Sequence, residues 1–310
     1  MIPVYVINGF LESGKTEFIK YTLAQPYFQT RGNTLLLLCE EGEAEYEESL
    51  LKKSRTIVEL IEEEADFSEE HLKELEKKYK PERIVIEFNG MWNSKEVKLP
   101  SNWSVEQQIT TIDASTFPMF YTNMKSMVAE MVRHSEMIIF NRCDGIKELS
   151  SYKRNVKAVN QQAEIIFEDS QGEVNEMMEE ELPYDLKADV IELDNRGYGV
   201  WYLDALDHIE RYEGKTIQYV GMVLKPKKFP DGFFVPGRMA MTCCAQDMAF
   251  LGFACKYDSA KDLPEKSWVK VTATVKKEYF NDYKGEGPVL YAKTIAASKA
   301  PKVPVIDFSQ

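Results

Sequence analysis

The chain has 310 residues, a hydrophobic content of 44% and a net charge of −13, with a pI near 5.0. This length favours about two domains. The acidic balance argues against nucleic acid as a general partner but still allows a local basic pocket for one nucleotide. No apolar run reaches the roughly 18 residues that cross a bilayer, and the N-terminus resembles a strand more than a signal peptide. We therefore expect a cytoplasmic protein with no transmembrane segment and with reduced cysteines.

The first half of the chain predicts strands that alternate with helices. Residues 15–25 and 54–79 have helical character, and Ser68 is a predicted helix start. Short apolar runs predict strands at 2–8, 33–41, 82–90, 107–115, 135–144 and 163–169. This alternation is typical of an α/β domain with a parallel sheet flanked by helices, to which we assign residues 1–185.

The second half is rich in β-branched and aromatic runs. Predicted strands occupy 216–226, 238–245, 249–257, 268–280 and 289–298, with turn residues at 227–237 between the first two. Five strands with few helices predict a small, mostly-β, OB-like barrel over residues 215–310. Residues 186–214 are predicted to be a bridging segment with one short helix.

The most specific motif is "GFLESGKT", which follows the first predicted strand and precedes the first predicted helix. It fits G-x-x-x-x-G-K-[ST], in which backbone N–H groups and a helix N-terminus hold phosphates. Lys15 would contact the β- and γ-phosphates, and the Thr16 hydroxyl would bind Mg²⁺. The alternative is an ordinary corner between strand and helix. The predicted nucleotide-binding residues of this loop are Gly9, Glu12, Ser13, Gly14, Lys15 and Thr16.

A second pair of candidate residues, Glu87 and Gly90, lies at the carboxyl end of the predicted strand "IVIEFNG". An acidic residue in that place usually faces the Mg²⁺ shell of a P-loop protein. We therefore predict Lys15 and Glu87 as catalytic residues, with Gly90 near the γ-phosphate. A surface glutamate at a strand end is the alternative for Glu87.

The stretch "NRCD" after the strand "MIIF" resembles the N-K-x-D base-reading motif of GTPases. Asp144 would accept two hydrogen bonds from guanine that adenine cannot supply, and Asn141 would brace the loop. Arg142 replaces the usual lysine, and its guanidinium can stack on the base plane. A plain turn is the alternative.

The order of these motifs resembles the CobW family of P-loop GTPases, which are related to the hydrogenase and urease nickel chaperones. The resemblance covers about residues 1–182, and it implies GTP/GDP as ligand, Mg²⁺ as cofactor and metal delivery as function. The chain departs from the family because it lacks a C-x-C-C motif between Cys39 and Cys143. In addition, Glu12 stands where a small residue is usual, and it is expected either to affect hydrolysis or to point into solvent.

Two sets of residues are candidates for Zn²⁺ or another transition metal. The family resemblance carries Glu40 and Glu43 over as metal or switch residues, and Cys39 adds a soft ligand. A buried cysteine before an acidic turn is the alternative. The second set consists of Cys243, Cys244 and Cys255, in a region that resembles a domain of permease partner proteins. For these cysteines, packing in the core is the alternative role.

Two functions follow from these motifs. The first is a GTP-binding, slowly hydrolysing switch that handles metal for a metalloprotein client, with water as nucleophile and no arginine finger evident in cis. The second is a nucleotide-gated partner of a membrane permease, in which hydrolysis is incidental. A small-molecule kinase is a weaker reading, because "NRCD" argues against it. A homodimer is the candidate assembly.

Overall fold

The computed structural model describes residues 1–40, 42, 44–95, 97–174, 182–241 and 248–308. The chain divides into two compact units, Met1–Met178 and Glu179–Gln310. The segment 186–214, which the sequence predicts as a bridge, falls within the second unit. Among the described residues, no helix is long and apolar enough to span a bilayer.

The first unit is built from alternating strands and helices. Its strands are β1 (Ile2–Asn8), β2 (Thr34–Leu38), β3 (Thr56–Leu60), β4 (Arg83–Glu87), β5 (Trp103–Asp113), β6 (Met137–Asn141), β7 (Glu164–Asp169) and β8 (Gly172–Glu173). Its helices are α1 (Lys15–Ala24), α2 (Glu48–Lys53), α3 (Glu69–Tyr79), α4 (Phe117–Asn123), α5 (Lys125–Arg133) and α6 (Leu149–Lys157).

The strands form one sheet in the order β3-β2-β4-β1-β5-β6-β7-β8. The pairs from β3 to β7 are parallel, and only β8 is antiparallel to its neighbour. The carboxyl ends of β1, β4, β5 and β6 therefore meet at one edge, where ligands bind in open α/β sheets. The predicted α/β class is confirmed.

Helix α1 is fixed to the sheet beneath this edge. Ile19 and Leu23 of α1 are almost fully buried and cluster with Ile7 of β1. Burying such a side chain contributes roughly 1.5–3 kcal/mol. The loop between β1 and α1 is thus held between two well-packed elements.

One predicted helix is wrong in part. The sequence predicts a helix over residues 54–79, but β3 runs through Thr56–Leu60 and α3 begins only at Glu69. The β-branched residues Thr56, Ile57 and Val58 favour a strand, and this segment pairs with β2. The predicted start at Ser68 is confirmed, because its side chain accepts a hydrogen bond from the His71 N–H.

The second unit is mostly β. It contains α7 (Asn195–Asp207) and the strands β9 (Ile191–Glu192), β10 (Thr216–Leu224), β11 (Phe233–Met241), β12 (Met248–Leu251), β13 (Cys255–Lys256), β14 (Trp268–Phe280), β15 (Gly285–Ala297) and β16 (Val305–Asp307). Five of these strands pair with their neighbours in the order β10-β11-β13-β15-β14, and β14 pairs again with β10. Of these five pairs, only β13 and β15 are parallel. Five strands therefore form a closed ring, and α7 provides the predicted short helix.

The predicted turn at 227–237 is too long, because β11 begins at Phe233. Pro236 and Gly237 suggested a turn, yet both pair with β10. A Cβ atom at Gly237 would lie 2.4 Å from the Leu251 carbonyl oxygen. Gly237 thus allows the backbone at Leu251 to approach closely. Composition alone does not show whether a glycine serves such a close approach inside a strand or forms a turn.

Candidate functional site

The loop between β1 and α1 folds back closely on itself. Gly9 and Gly14 both have positive φ, at 147° and 94°. A Cβ atom at Gly9 would lie 2.4 Å from Ser13 Oγ and 2.5 Å from the Thr111 carbonyl oxygen. Only glycine fits there, and α1 begins directly after the loop, so the free N–H groups of its first turn face the loop's cleft. This is the geometry of a phosphate-binding loop.

Lys15 is buried beside this loop. Its ammonium donates to the carbonyl oxygens of Gly9 at 3.0 Å and Phe10 at 2.9 Å. It also donates to the Glu40 carboxylate, with which it forms an ion pair. Lys15 therefore lies against the loop with a carboxylate of this chain as its partner, and its contact with phosphates stays a prediction.

Glu87 lies at the end of β4, next to Thr16. The Thr16 hydroxyl donates to Glu87 Oε1 at 2.7 Å, and the Tyr46 hydroxyl donates to Glu87 Oε2. Burial raises the pKa of Glu87, and the hydrogen bonds from Tyr46 and Thr16 offset this only in part. The Thr16 hydroxyl and the Glu87 carboxylate form a buried pair of hard oxygen donors, the type that Mg²⁺ prefers. The donor set thus fits the predicted ion.

Glu12 adopts a backbone conformation that favours glycine, with φ of 61°. Its side chain lines the same cleft as Gly14, Lys15 and Thr16. A Cβ atom at Gly42 would lie 3.0 Å from Glu12 Oε1, so the side chain faces the segment after β2. Glu12 thus lines the cleft and is at the same time exposed to solvent, and its effect on hydrolysis stays a prediction.

The N-R-C-D stretch is joined to the loop between β1 and α1 by two hydrogen bonds. Asn141 Nδ2 donates to the Ser13 carbonyl oxygen at 2.7 Å, and Arg142 Nη1 donates to the Glu12 carbonyl oxygen at 2.8 Å. Arg142 Nη1 also contacts Asp113 Oδ2 at 2.6 Å. Asn141 thus braces the loop as predicted, while the Arg142 guanidinium, proposed to stack on a base, here links three strand ends.

Asp144 is held by the turn after β7. Its carboxylate accepts hydrogen bonds from the Ser170 hydroxyl at 2.5 Å and from the Ser170 N–H at 3.2 and 3.3 Å. These bonds lower the pKa of Asp144, so it is ionised at neutral pH. An ionised carboxylate fixed at this edge of the sheet can accept hydrogen bonds from a ligand.

Gly90 packs directly against the phosphate loop. A Cβ atom there would lie 2.4 Å from the Gly9 carbonyl oxygen and 2.8 Å from Met131 Cε. The loop after β4 therefore packs against the loop between β1 and α1, and the predicted role of Gly90 near the γ-phosphate stays a prediction.

The first set of metal candidates is divided in the structure. Cys39 is buried, and burial raises the pKa of its thiol above the ordinary range. Glu40 is paired with Lys15, and Glu43 lies outside the described residues. Their role as metal ligands stays a prediction.

The second set is described only at Cys255. This thiol is buried at the start of β13, opposite Phe234 near the first residue of β11, and burial raises its pKa. Cys243 and Cys244 follow the other end of β11 in sequence and lie outside the described residues. Within the described ranges, no group of three or more His, Cys, Asp and Glu side chains could hold a metal ion.

Sequence reasoning missed three residues of the site: Tyr46, Asp113 and Ser170. Asp113 ends β5 and could have been found by the rule that identified Glu87, because it too is an acidic residue at the carboxyl end of a parallel strand. The contacts of Tyr46 and Ser170 give no comparable signal, since both depend on how loops distant in sequence come together.

Several solved structures resemble parts of the chain. The hydrogenase maturation factor HypB from Archaeoglobus fulgidus aligns at 16% identity over 55% of this chain and 82% of that chain, with a TM-score of 0.39. Zn(II)-bound YjiA GTPase from E. coli aligns at 19% identity over 56% of this chain and 59% of that chain, with a TM-score of 0.41. HypB from Helicobacter pylori, in complex with nickel, aligns at 13% identity over 55% and 80%, with a TM-score of 0.36. All three TM-scores lie below 0.5, so the family assignment depends on sequence alone. No curated protein sequence matches the chain.

Two family models match the chain, and together they cover most of its length. The model of the DUF1980 C-terminal domain matches residues 168–306. The model of the CobW/HypB/UreG nucleotide-binding domain matches residues 3–167, more than half of the chain. This second match spans the phosphate loop, Glu87 and the N-R-C-D motif, whose geometry is that of a nucleotide site, and the chain therefore belongs to the CobW/HypB/UreG family.

Proposed function

We propose that the chain is a guanine-nucleotide switch that binds GTP at the P-loop and hydrolyses it slowly. The observation that carries this proposal is the direct link between the two halves of the site. Asn141 and Arg142 donate to carbonyl oxygens of Ser13 and Glu12. Asp144 follows Arg142 by two residues, so a nucleotide with its phosphates on the loop would have its base near this carboxylate.

The hydrolytic part of the proposal depends on the charges around the cleft. Lys15 is the one basic side chain among the described residues that line it. When bound through Thr16 and Glu87, Mg²⁺ would supply further positive charge for the phosphates. Lys15 would contact the β- and γ-phosphates, and Gly90 would sense the γ-phosphate. With no arginine in the described lining, slow intrinsic turnover is expected.

The use of this cycle is the second part of the proposal. Membership of the CobW/HypB/UreG family supports delivery of Zn²⁺ or another transition metal to a metalloprotein client. The candidate ligands remain Cys39, Glu40 and Glu43 in the first unit and Cys243, Cys244 and Cys255 in the second. A permease-docking role, the cytoplasmic location and a homodimer stay predictions.

Titration with GTP and with ATP tests the assignment of the base reader. Wild type is expected to prefer GTP, and Asp144→Ala is expected to lose that preference by roughly 10- to 150-fold, because hydrogen bonds to a charged group contribute about 1.5–3 kcal/mol. Asp66→Ala, which removes an exposed aspartate from the short 3-10 helix Glu64–Asp66 of the same unit, is the matched control and should bind as wild type does. Equal binding of ATP and GTP by wild type would contradict the assignment.

A further inference from the structure

A second cavity of the first unit adjoins the loop between β1 and α1. It lies between this loop, the carboxyl end of β5 and the helices α4 and α5. Among the described residues, Leu11 and Glu12 line both this cavity and the phosphate cleft. Gly14, Lys15 and Thr16 line the cleft alone. A ligand in the second cavity would therefore not take the place of the phosphates.

The walls of this cavity are mainly apolar. Phe10 of the loop and Phe120 of α4 are stacked, with ring centroids 4.2 Å apart. Val128 and Val132 of α5 line the cavity and are almost fully buried. Hydrophobic and aromatic side chains with a few polar groups are the usual lining of small-molecule sites. An aromatic ring in the cavity can pack on Phe10 or Phe120 in a stacked or edge-to-face arrangement.

The hydroxyl groups of the walls already have partners inside the protein. Ser13 Oγ and Thr111 Oγ1 are hydrogen-bonded to each other at 3.0 Å. The Thr110 hydroxyl donates to the Met131 carbonyl oxygen at 3.0 Å. Because these polar groups are satisfied without a ligand, the interior of the cavity favours a hydrocarbon or aromatic group over a polar one.

The size of the cavity suits a single aromatic ring. Its volume is about 140 Å³, close to the roughly 150 Å³ of an engineered apolar protein cavity that binds benzene. Leu11 and Met119 line the cavity and are 52% and 54% exposed, so the cavity opens to the surface. A ring can therefore enter, and a substituent of that ring can extend toward the opening.

The charged side chains that line the cavity, Glu12 and Asp113, are both acidic. No lysine or arginine is found among the described residues of this lining. Arg142 pairs with Asp113 at 2.6 Å and neutralises part of the negative charge. A ligand with an ammonium group should therefore bind more tightly than one with a carboxylate, by a modest factor.

We propose that this cavity is a binding site for a small aromatic amine. The ring lies between Phe10 and the helices α4 and α5, and the ammonium lies near Glu12 and Asp113. The site is separate from the nucleotide site, and it does not depend on the proposed function.

Titration of the full chain with 2-phenylethylamine, followed by ligand NMR or calorimetry, tests the site. We expect a Kd of about 1 mM or below. The matched acid, 3-phenylpropionate, has the same ring with a carboxylate and should bind roughly two- to fivefold more weakly. Equal binding of the amine and the acid, or no binding of the amine, would refute the proposal. Displacement of the bound amine by GTP would refute a site separate from the phosphate cleft.

Met119→Trp tests the location of the site. The larger side chain fills the opening of the cavity and should weaken binding of 2-phenylethylamine at least roughly tenfold, because the ring can no longer be buried there. Met91→Trp is the matched control, since Met91 is 56% exposed in the same unit and lies outside the lining. Its affinity for the amine should equal that of wild type. Unchanged affinity in Met119→Trp would contradict the assigned cavity.

Glu12→Gln tests the role of charge without altering the apolar walls. This variant should lose part of the preference for 2-phenylethylamine over 3-phenylpropionate. Glu17→Gln is its control, because Glu17 lines the phosphate cleft but not the second cavity, and it should keep the preference of wild type. A preference that is the same in both variants would contradict the placement of the ammonium. These measurements need no nucleotide, so their failure leaves the proposed function intact.

Discussion

Replacing Glu12 by glycine should stabilise the first unit. Glu12 has φ of 61°, a left-handed conformation that costs a residue with a side chain roughly 1–2 kcal/mol. Glycine adopts it freely but gains more freedom in the unfolded chain, which offsets about 0.4–1 kcal/mol. The difference between these two terms ranges from about 0 to 1.6 kcal/mol, so the central expectation for Glu12→Gly is a net gain of about 0.8 kcal/mol. In a unit that spans Met1–Met178, this central value corresponds to an increase of about 2–3 °C in the melting temperature.

The matched control is Glu12→Ala. Alanine also removes the carboxylate from the cleft but keeps a Cβ atom in the left-handed conformation, so it should not share the gain in stability. Thermal and urea unfolding, followed by circular dichroism, measure the difference between the variants. Both variants should bind nucleotide more tightly than wild type, because each removes a negative charge from the cleft that holds Lys15. If Glu12→Gly melts no higher than Glu12→Ala, the backbone at this position is not strained and the reasoning fails.

Three further predictions concern the surroundings of the loop. Gly90→Ala places a Cβ atom 2.4 Å from the Gly9 carbonyl oxygen. The variant should lose about 1–3 kcal/mol of stability and bind nucleotide more weakly. An unchanged urea midpoint and an unchanged nucleotide affinity would refute the contact. Burial raises the pKa of the Cys143 thiol from an ordinary 9.0 to about 11. Near pH 8, Cys143 should therefore react with iodoacetamide roughly a hundredfold more slowly than an exposed thiol, and its reaction should become faster as pH rises. Rapid labelling of the folded protein near pH 8 would contradict this prediction. Burial acts to raise the pKa of Asp113, but hydrogen bonds from Ser115 and Arg142 outweigh it and leave it lowered. Above the ordinary aspartate pKa of 3.8, wild type should therefore be more stable than Asp113→Asn by about 0.2–1 kcal/mol. This difference in stability should disappear as pH falls below that value. A difference that persists in acid would contradict the ion pair between Asp113 and Arg142.

The nucleotide site could be predicted from sequence because its residues follow from local rules. The P-loop motif, Glu87 and the N-R-C-D stretch each lie at the carboxyl end of a strand, and the parallel sheet brings those strand ends to one edge. Asp113 obeys the same rule. The roles of these residues toward nucleotide stay predictions, but their assembly in one place follows from topology.

Other features could not be predicted because they depend on contacts between segments distant in sequence. Tyr46 reaches Glu87 across 41 positions, and no periodicity marks that tyrosine among the chain's 16. The strand β3 was missed because its five residues lie beside a strongly helical stretch, and its state is decided by pairing with β2. Gly237 looked like a turn residue, although close packing of two strands is what requires it.

The central claim is that Lys15 and the loop around it hold the phosphates of a guanine nucleotide. Calorimetric titration of GTP with Mg²⁺ into wild type and Lys15→Ala, with Lys20→Ala as a control from the same helix, tests it most directly. We expect wild type and Lys20→Ala to bind GTP with similar affinity. Lys15→Ala should bind GTP at least roughly tenfold more weakly, the effect of losing one hydrogen bond to a charged group. Equal affinities for wild type and Lys15→Ala, or no binding by wild type, would contradict it.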